Sequence, residues 1–429
     1  MRADWRSAPG KRHTLVAHVL WEASWFALVP APFLYHPHST DNAIIMPSTL
    51  TTRRQSSVTM NGPASLFRKA LANCGITIDG PQPWDPQIHD ERTWNRVLAQ
   101  GTLGLGESYM DGWWDVEALD EFLARAIRGA VDQRLPTLRE IGLAIKARLI
   151  NMQTQHRAVR VGEVHYDVGD DLYERMLDSR MMYSCGYWRE AGDLEAAQAA
   201  KLDLVCRKLG LEPGMKVLDI GCGWGGAAAY AAEHYGVSVV GVTISRNQAE
   251  TARRRCAHLP VEISLQDYRN VSGRFDRIYS IGMFEHVGAR NHHHYLAKVR
   301  ELLTPDGLTL LHTIGNRVTL RANDPWIEKY IFPNSLIPSR AQIARAAERQ
   351  LVIEDWHDFG TDYERTLQAW SENISRAWPE LDSRYDERFR RMWHFYLMVS
   401  IASFRARRSH LWQIVMSPDG VAGEYRPVR

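Results

Sequence analysis

Residues 217–226 read Val-Leu-Asp-Ile-Gly-Cys-Gly-Trp-Gly-Gly. A short apolar strand that runs into glycines, with a helix to follow, brings backbone close to a ligand, because residues without Cβ allow a tight turn and close approach. Gly221, Gly223 and Gly225 are spaced G-x-G-x-G, not in the dinucleotide pattern G-x-G-x-x-G. Asp219 ends the strand, and a carboxylate there suits an ammonium group better than a pyrophosphate. The pattern therefore favours S-adenosylmethionine over NAD as the ligand. The next strand ends Gly241-Val-Thr-Ile-Ser245, without the acid that often holds a ribose, so ribose contact falls to Thr243, the Ile244 backbone and Gln248. Gln266 and Asp267, after the third strand, are placed for the adenine edge, with Asp267 accepting from the amino group. A plain turn role is the competing reading of Asp267.

Groups spaced like this need a sheet to hold them. Leu194, Ala197, Leu202, Val205 and Leu209 have helical spacing over 193–209. Pro213-Gly214 marks a turn, and Gly236 stands where a helix C-terminal glycine belongs. Residues 216–220, 237–243, 261–265, 276–281 and 308–314 read as strands. Strands alternating with helices imply an α/β fold, a parallel sheet covered on both faces. Residues 316–405, rich in aromatics and helix formers, break the alternation and are expected to form a helical insertion capping the site, after which 411–416 resumes the sheet. Residues 63–160 read as a small, mostly helical N-terminal domain ahead of a catalytic domain at 162–429. Within the former, the glycines of 101–114 lack the preceding strand and the Lys-Ser/Thr of a phosphate loop and are read as a structural turn.

The 429 residues predict two or three domains. A net charge of +2 carries no polyanion signature, and no target-base motif such as Asn-Pro-Pro-Tyr occurs, so a nucleic-acid partner is disfavoured. Cys74, Cys185, Cys206, Cys222 and Cys256 include no C-x-x-C pair, which argues against zinc and for reduced thiols in the cytoplasm. Residues 14–35 are apolar behind Arg2, Arg6, Lys11 and Arg12, but His18, Glu22, Pro30 and Pro32 interrupt them. Residues 1–60 are expected to be a disordered leader or an upstream start, with Met46 or Met60 as the beginning.

Several further stretches stand in a fixed order: His165-Tyr-Asp-Val-Gly-Asp-Asp-Leu-Tyr173, Met182-Tyr-Ser-Cys-Gly-Tyr-Trp188, Val242-Thr-Ile-Ser245, Leu265-Gln-Asp-Tyr-Arg269, Gly282-Met-Phe-Glu-His-Val-Gly288, Leu311-His-Thr-Ile-Gly315 and Trp326-Ile-Glu-Lys-Tyr-Ile-Phe-Pro-Asn334. With the glycine loop, they make the chain from about 63 onward resemble the cyclopropane-fatty-acyl-phospholipid synthases, relatives of the mycolic acid cyclopropane synthases. The resemblance implies a Rossmann-like class I methyltransferase sheet. It also implies that a methylene from S-adenosylmethionine is added across the cis double bond of an unsaturated phospholipid acyl chain. In that reaction the alkene attacks the sulfonium methyl and leaves a carbocation, and a bound bicarbonate removes a proton before the ring closes. Tyr183 and Ser184 are implied cofactor contacts. Cys185, Glu285, His312, Ile314 through its backbone, and Tyr363 are the positions implied for the bicarbonate. A small anion in a dry pocket needs several convergent donors. A carbocation needs aromatic faces and no nucleophile, for which Tyr183, Tyr187, Phe284, Tyr330, Phe332 and Tyr363 are candidates. Taken singly, each of these residues would be ordinary core.

Some relatives carry a cysteine where this chain has Ser400. A serine with no adjacent base is a weak nucleophile, which disfavours a covalent route. Cys206 and Cys256 fall on expected helices and read as structural. The resemblance further implies peripheral attachment at the inner face of the membrane through the N-terminal domain, and a homodimer. Arg134, Arg139, Lys146 and Arg148 are a basic set able to meet anionic headgroups or simply to form a solvated helix face. The alternative activity is a related lipid C-methylation that ends in a methyl-branched or hydroxylated product. A non-enzymatic lipid-binding protein is the third reading.

Overall fold

The structure is a computed structural model and describes residues 63–130, 169–381 and 384–429. The leader 1–60, the basic set Arg134, Arg139, Lys146 and Arg148, and His165 to Val168 of the first motif lie outside the described residues. Four helices come first, α1 (Pro63–Ala72), α2 (Arg92–Gln100), α3 (Thr102–Met110) and α4 (Leu119–Arg128), with a two-residue ladder between β1 (Gln87–Ile88) and β2 (Trp114–Asp115). The alternating part runs α5 (Asp170–Met176), α6 (Leu194–Lys208), β3 (Lys216–Ile220), α7 (Gly226–Tyr235), β4 (Ser238–Thr243), α8 (Arg246–Arg255), β5 (Val261–Leu265), β6 (Phe275–Ile281), α9 (His292–Leu302) and β7 (Leu303–Asn316). The chain closes with α10 (Pro325–Tyr330), α11 (Arg340–Ala347), β8 (Val352–Asp358), α12 (Asp362–Leu381), α13 (Glu387–Arg405) and β9 (Ser409–Ser417).

The larger sheet has the order β5-β4-β3-β6-β7-β9-β8, parallel through β7 and antiparallel where β9 meets both β7 and β8. From β3 the chain winds outward through β4 to β5, then returns to the other side of β3 as β6. The crevice at the C-terminal ends of β3 and β6 is therefore a topological switch point, where ligands bind in open α/β sheets. Burial on both faces explains the nearly continuous apolar run of β3. Val217 faces one core with Val239 and Tyr279, while Leu218 and Ile220 face another with Phe275 and Phe284. Local signals fix the helix ends. Asp193 caps α6 by accepting from the Ala196 N–H at 2.8 Å, and Gly236 ends α7 in the left-handed region.

Two expectations are corrected. The 316–405 insertion is not wholly helical, because residues 352–358 form strand β8 at the sheet edge. Of that strand only Asp355 is buried, paired with Arg429, and Glu354, His357 and Asp358 complete the charge-rich pattern of an edge strand. The 101–114 stretch is not a turn, because residues 102–110 form helix α3. Its glycines serve packing: a Cβ at Gly104 would lie 2.4 Å from the Arg96 carbonyl oxygen, and one at Gly106 would lie 2.4 Å from the fully buried Trp326 ring. Gly106→Ala should therefore destabilise the protein. Alanine gains up to about 1 kcal/mol of helix propensity, but displacing the rigid indole costs about 1–3 kcal/mol. The variant is expected to unfold at lower denaturant with an unchanged m-value; a raised midpoint would contradict this.

Helices α1 to α4 share one apolar core with α12 and α13, in which Phe67, Trp94 and Phe122 belong to the same buried cluster as Trp370, Trp393 and Phe395. The acid of α3, Glu107, bridges to Arg96 on α2 and to Lys329 and Tyr330 on α10. No helix among the described residues is long and apolar enough to cross a membrane.

Candidate active site

One cavity of about 700 Å³ is lined by residues of the switch point, of α13 and of α1 to α4. Its first end is the glycine loop. Gly221, Gly223 and Gly225 all have positive φ, yet they do different things. A Cβ on Gly221 would strike Met283 at 2.9 Å, and one on Gly225 would press on Ala252 and Cys256 of the α8 region. A Cβ on Gly223 would meet no heavy atom within 4 Å, so this is where the backbone opens toward a ligand. Gly221 and Gly223 line the cavity; Gly225 does not, and its role is to seat α7 against α8.

Asp219, at the end of β3, is buried at the cavity wall. Burial pushes its carboxyl up to about 7, against the opposing pull of the Tyr279 hydroxyl and the Lys201 ammonium. Thr243, Ile244, Gln248, Gln266 and Asp267 also line this end. The Thr243 hydroxyl donates to Gln248 Oε1 at 3.0 Å, which leaves the Gln248 amide nitrogen as a donor. Both Asp267 oxygens already accept from Arg269, at 2.8 and 2.6 Å. Tyr183 and Ser184 also line the cavity. Lys201 Nζ donates to Ser184 Oγ at 2.8 Å, and Gln198 Nε2 donates to the Ser184 carbonyl at 2.8 Å, so α6 holds this loop from behind.

Further along, Glu285, His312, Ile314 and Tyr363 converge on the same cavity. The Ile314 N–H donates to Glu285 Oε1 at 2.6 Å, while Glu285 Oε2 is buried with no hydrogen-bond partner. The Ile314 backbone thus holds the carboxylate, which differs from the direct ligand role expected for it. Burial raises the Glu285 pKa, opposed by hydrogen bonds that include the one from Ile314. His312 Nε2 likewise has no partner. Burial, helped by the cationic Lys201 and Lys208, holds the ring pKa well below the usual histidine value, so it is neutral. Burial keeps the Tyr363 phenol protonated. Cys185 is not brought into the cavity. Its thiol points to the Gly186 carbonyl at 3.1 Å and packs near the Thr366 hydroxyl, and burial raises its pKa far above the thiolate range.

Of the expected aromatics, Tyr183, Phe332 and Tyr363 line the cavity. The other three are used elsewhere: Tyr187 packs on Phe359 at 5.1 Å, Phe284 stacks on His292 at 4.3 Å, and the Tyr330 hydroxyl donates to Glu107 at 2.9 Å. Residues not anticipated take their place. Tyr396 meets the Tyr183 hydroxyl at 2.7 Å, and Trp326, Phe395 and Phe404 add apolar wall. His286 lines the cavity too, kept neutral by burial at a pKa of about 4. A signal was present for the α13 set: residues 395, 396, 399, 400, 403 and 404 repeat every four positions and form one helix face. Ser400 stands on that face. Beyond α13 the wall is Phe67, Val97, Leu105, Leu123 and Ile127, contributed by α1 to α4.

Residues 153–414 match the family model for mycolic acid cyclopropane synthetase. The chain is 53% identical over 369 residues to cyclopropane-fatty-acyl-phospholipid synthase of Escherichia coli strain K12, covering 85% of this chain and 95% of the relative. It is 33% identical over 348 residues to a tuberculostearic acid methyltransferase of Mycobacterium tuberculosis, covering 76% and 81% of the two. Its fold superposes with a TM-score of 0.56 on the crystal structure of a mycolic acid cyclopropane synthase complexed with SAH and CTAB, at 31% identity, covering 60% of this chain and 98% of the other.

Proposed function

Because the chain belongs to the mycolic acid cyclopropane synthetase family, we propose that it is an S-adenosylmethionine-dependent cyclopropane-fatty-acyl-phospholipid synthase. The observation that carries this reading is the continuity of the cavity. The glycine loop, two unpartnered buried polar atoms and an apolar lining drawn from α13 and α1 to α4 all belong to one cavity. When bound, S-adenosylmethionine supplies the methyl as an electrophile and bicarbonate supplies the base. Asp219 would hold the cofactor ammonium, Gln248 the ribose, and the backbone at Gly223 the approach between them. Glu285 Oε2, an acceptor, and His312, through Nε2, are the groups free to hold a small hydroxylated anion, with the Tyr363 phenol as a further donor.

The chemistry then asks three things of this chain. It must stabilise a cation, which the rings of Tyr183, Phe332 and Tyr363 do with their negative faces. It must withhold nucleophiles, and both the turned-away Cys185 thiol and the protonated phenol of Tyr363 satisfy that. It must exclude water, for which the aromatic and aliphatic lining of α13 and α1–α4 serves. The alkene π electrons form the new C–C bond as the S–CH₃ bond breaks. A proton then leaves that carbon, and its bonding pair closes the ring. We also propose that the enzyme works as a homodimer attached peripherally to the inner face of the membrane, with α1 to α4 in a lipid-association region.

The test uses purified protein, S-adenosylmethionine and vesicles of a monounsaturated phospholipid, with the acyl chains read by mass spectrometry and proton NMR. Loss of olefinic protons, a mass gain of one methylene and new upfield ring protons are expected. A methyl-branched or hydroxylated product would overturn ring closure while keeping the cofactor assignment. No lipid product from protein that binds the cofactor would overturn the reading.

A further inference from the structure

His312 on β7 and Gln413 on β9 are register partners in the sheet, and both side chains are sealed from solvent. Gln413 Nε2 lies 3.3 Å from His312 Nδ1. In this orientation of the amide, which leaves Gln413 Oε1 buried without a partner, the nitrogen donates and the ring nitrogen facing it accepts. A neutral imidazole whose Nδ1 accepts carries its proton on Nε2. His312 Nε2 has no protein partner, and the residue lines the reaction cavity. We infer that Gln413 is a positioning residue that fixes the His312 ring in the Nε2–H tautomer, so that the histidine meets the reacting site as a hydrogen-bond donor.

The two tautomers do opposite work. With the proton on Nε2, the ring offers an N–H to an anion and hides its lone pair behind it against Gln413. With the proton on Nδ1, a bare and nucleophilic nitrogen would face a carbocation and could capture it. The surroundings leave the choice to Gln413. Phe359 packs edge-on to the ring at 5.8 Å and offers no hydrogen bond. The nearby ammonium groups of Lys201 and Lys208 disfavour a second proton without selecting which nitrogen keeps the first. The functional half of the inference rests on the anion-holding role proposed for His312; the tautomer does not.

The experiment labels the full-length protein with ¹⁵N-histidine and identifies the His312 ring by difference against His312→Gln. The wild-type ring is expected to show a protonated Nε2 and a bare Nδ1. In Gln413→Glu an ionised carboxylate can only accept, so a proton must sit on Nδ1. Turnover should then fall by up to about 10,000-fold, the scale seen when a catalytic histidine is held in the wrong tautomer, while the affinity for S-adenosylmethionine is kept. Gln413→Met, close in shape and without a donor, should give a mixture of tautomers, and it remains readable if the glutamate variant does not fold. A wild-type ring protonated on Nδ1, a Gln413→Glu variant with an ionised carboxylate still carrying the ring proton only on Nε2, or a Met variant with an unchanged pure Nε2–H ring would each overturn the inference. A moved proton with undiminished turnover would uphold the tautomer assignment and overturn the donor role of His312 instead.

Discussion

Replacing Glu285 by glutamine is expected to cut turnover by about 100- to 10,000-fold, the range for losing a positioned acid–base group, without loss of cofactor binding. Glutamine keeps the shape and the carbonyl oxygen that accepts from the Ile314 N–H. What it loses is the acceptor at Oε2, the atom left buried and unpartnered in the cavity. The same change should leave the fold as stable or more so. The Glu285 pKa is raised above its unfolded value by burial, so ionising it as pH rises through that raised value costs stability that an amide does not. Single-turnover assays with lipid vesicles, titration with S-adenosylmethionine and thermal melting separate the three quantities. A variant that turns over within a few-fold of wild type would remove Glu285 from the proposed base site. One that melts far earlier would make its role structural.

The second large effect concerns Asp219. Asp219→Asn should weaken S-adenosylmethionine by about 10- to 150-fold, which corresponds to the 1.5–3 kcal/mol of a hydrogen bond to a charged group. The pH dependence carries the sharper signature. Burial holds the free carboxyl at about 7, and a bound ammonium would favour its ionised form. Below that pKa the cofactor must therefore displace a proton, and affinity should fall about tenfold for each pH unit. Above it, affinity should be flat as far as Asp219 is concerned. Asparagine cannot titrate, so this slope should vanish in the variant. Calorimetry between about pH 6 and about pH 8, in buffers of different ionisation enthalpy, would count the released proton. A pH-independent wild type would show that Asp219 does not face the ammonium.

The legible parts of this site were those written locally in the chain. The glycine loop, the helix-ending Gly236, and strands β3 to β6 are each specified by a few neighbouring residues. They appear within a residue or two of where periodicity put them. Glu285, His312 and Tyr363 were found through the family resemblance, and the cavity does gather them. What stayed hidden depends on contacts between distant segments. Gln413 is one more polar residue in a strand until β9 is laid against β7. Gly106 reads as a turn until Trp326, more than two hundred residues later, needs its space. The charges that keep β8 safe as an edge also masked it as a strand. Cys185 was carried over by its neighbours in a motif, and one-dimensional position does not report which way a thiol points.

The apolar arm of the cavity has a further consequence. The segment that matches the family begins at residue 153 and carries the cofactor end and Glu285, His312 and Tyr363. The far wall, with Phe67, Val97, Leu123 and Ile127, lies before that point. In the proposed reading, part of the wall that would hold the acyl chain thus lies outside the stretch that carries the chemistry, while α13, inside that stretch, supplies the rest. A designer seeking a new chain-length preference would begin at Phe67, Val97, Leu123 and Ile127, and would have to keep the core that these helices share with α12 and α13.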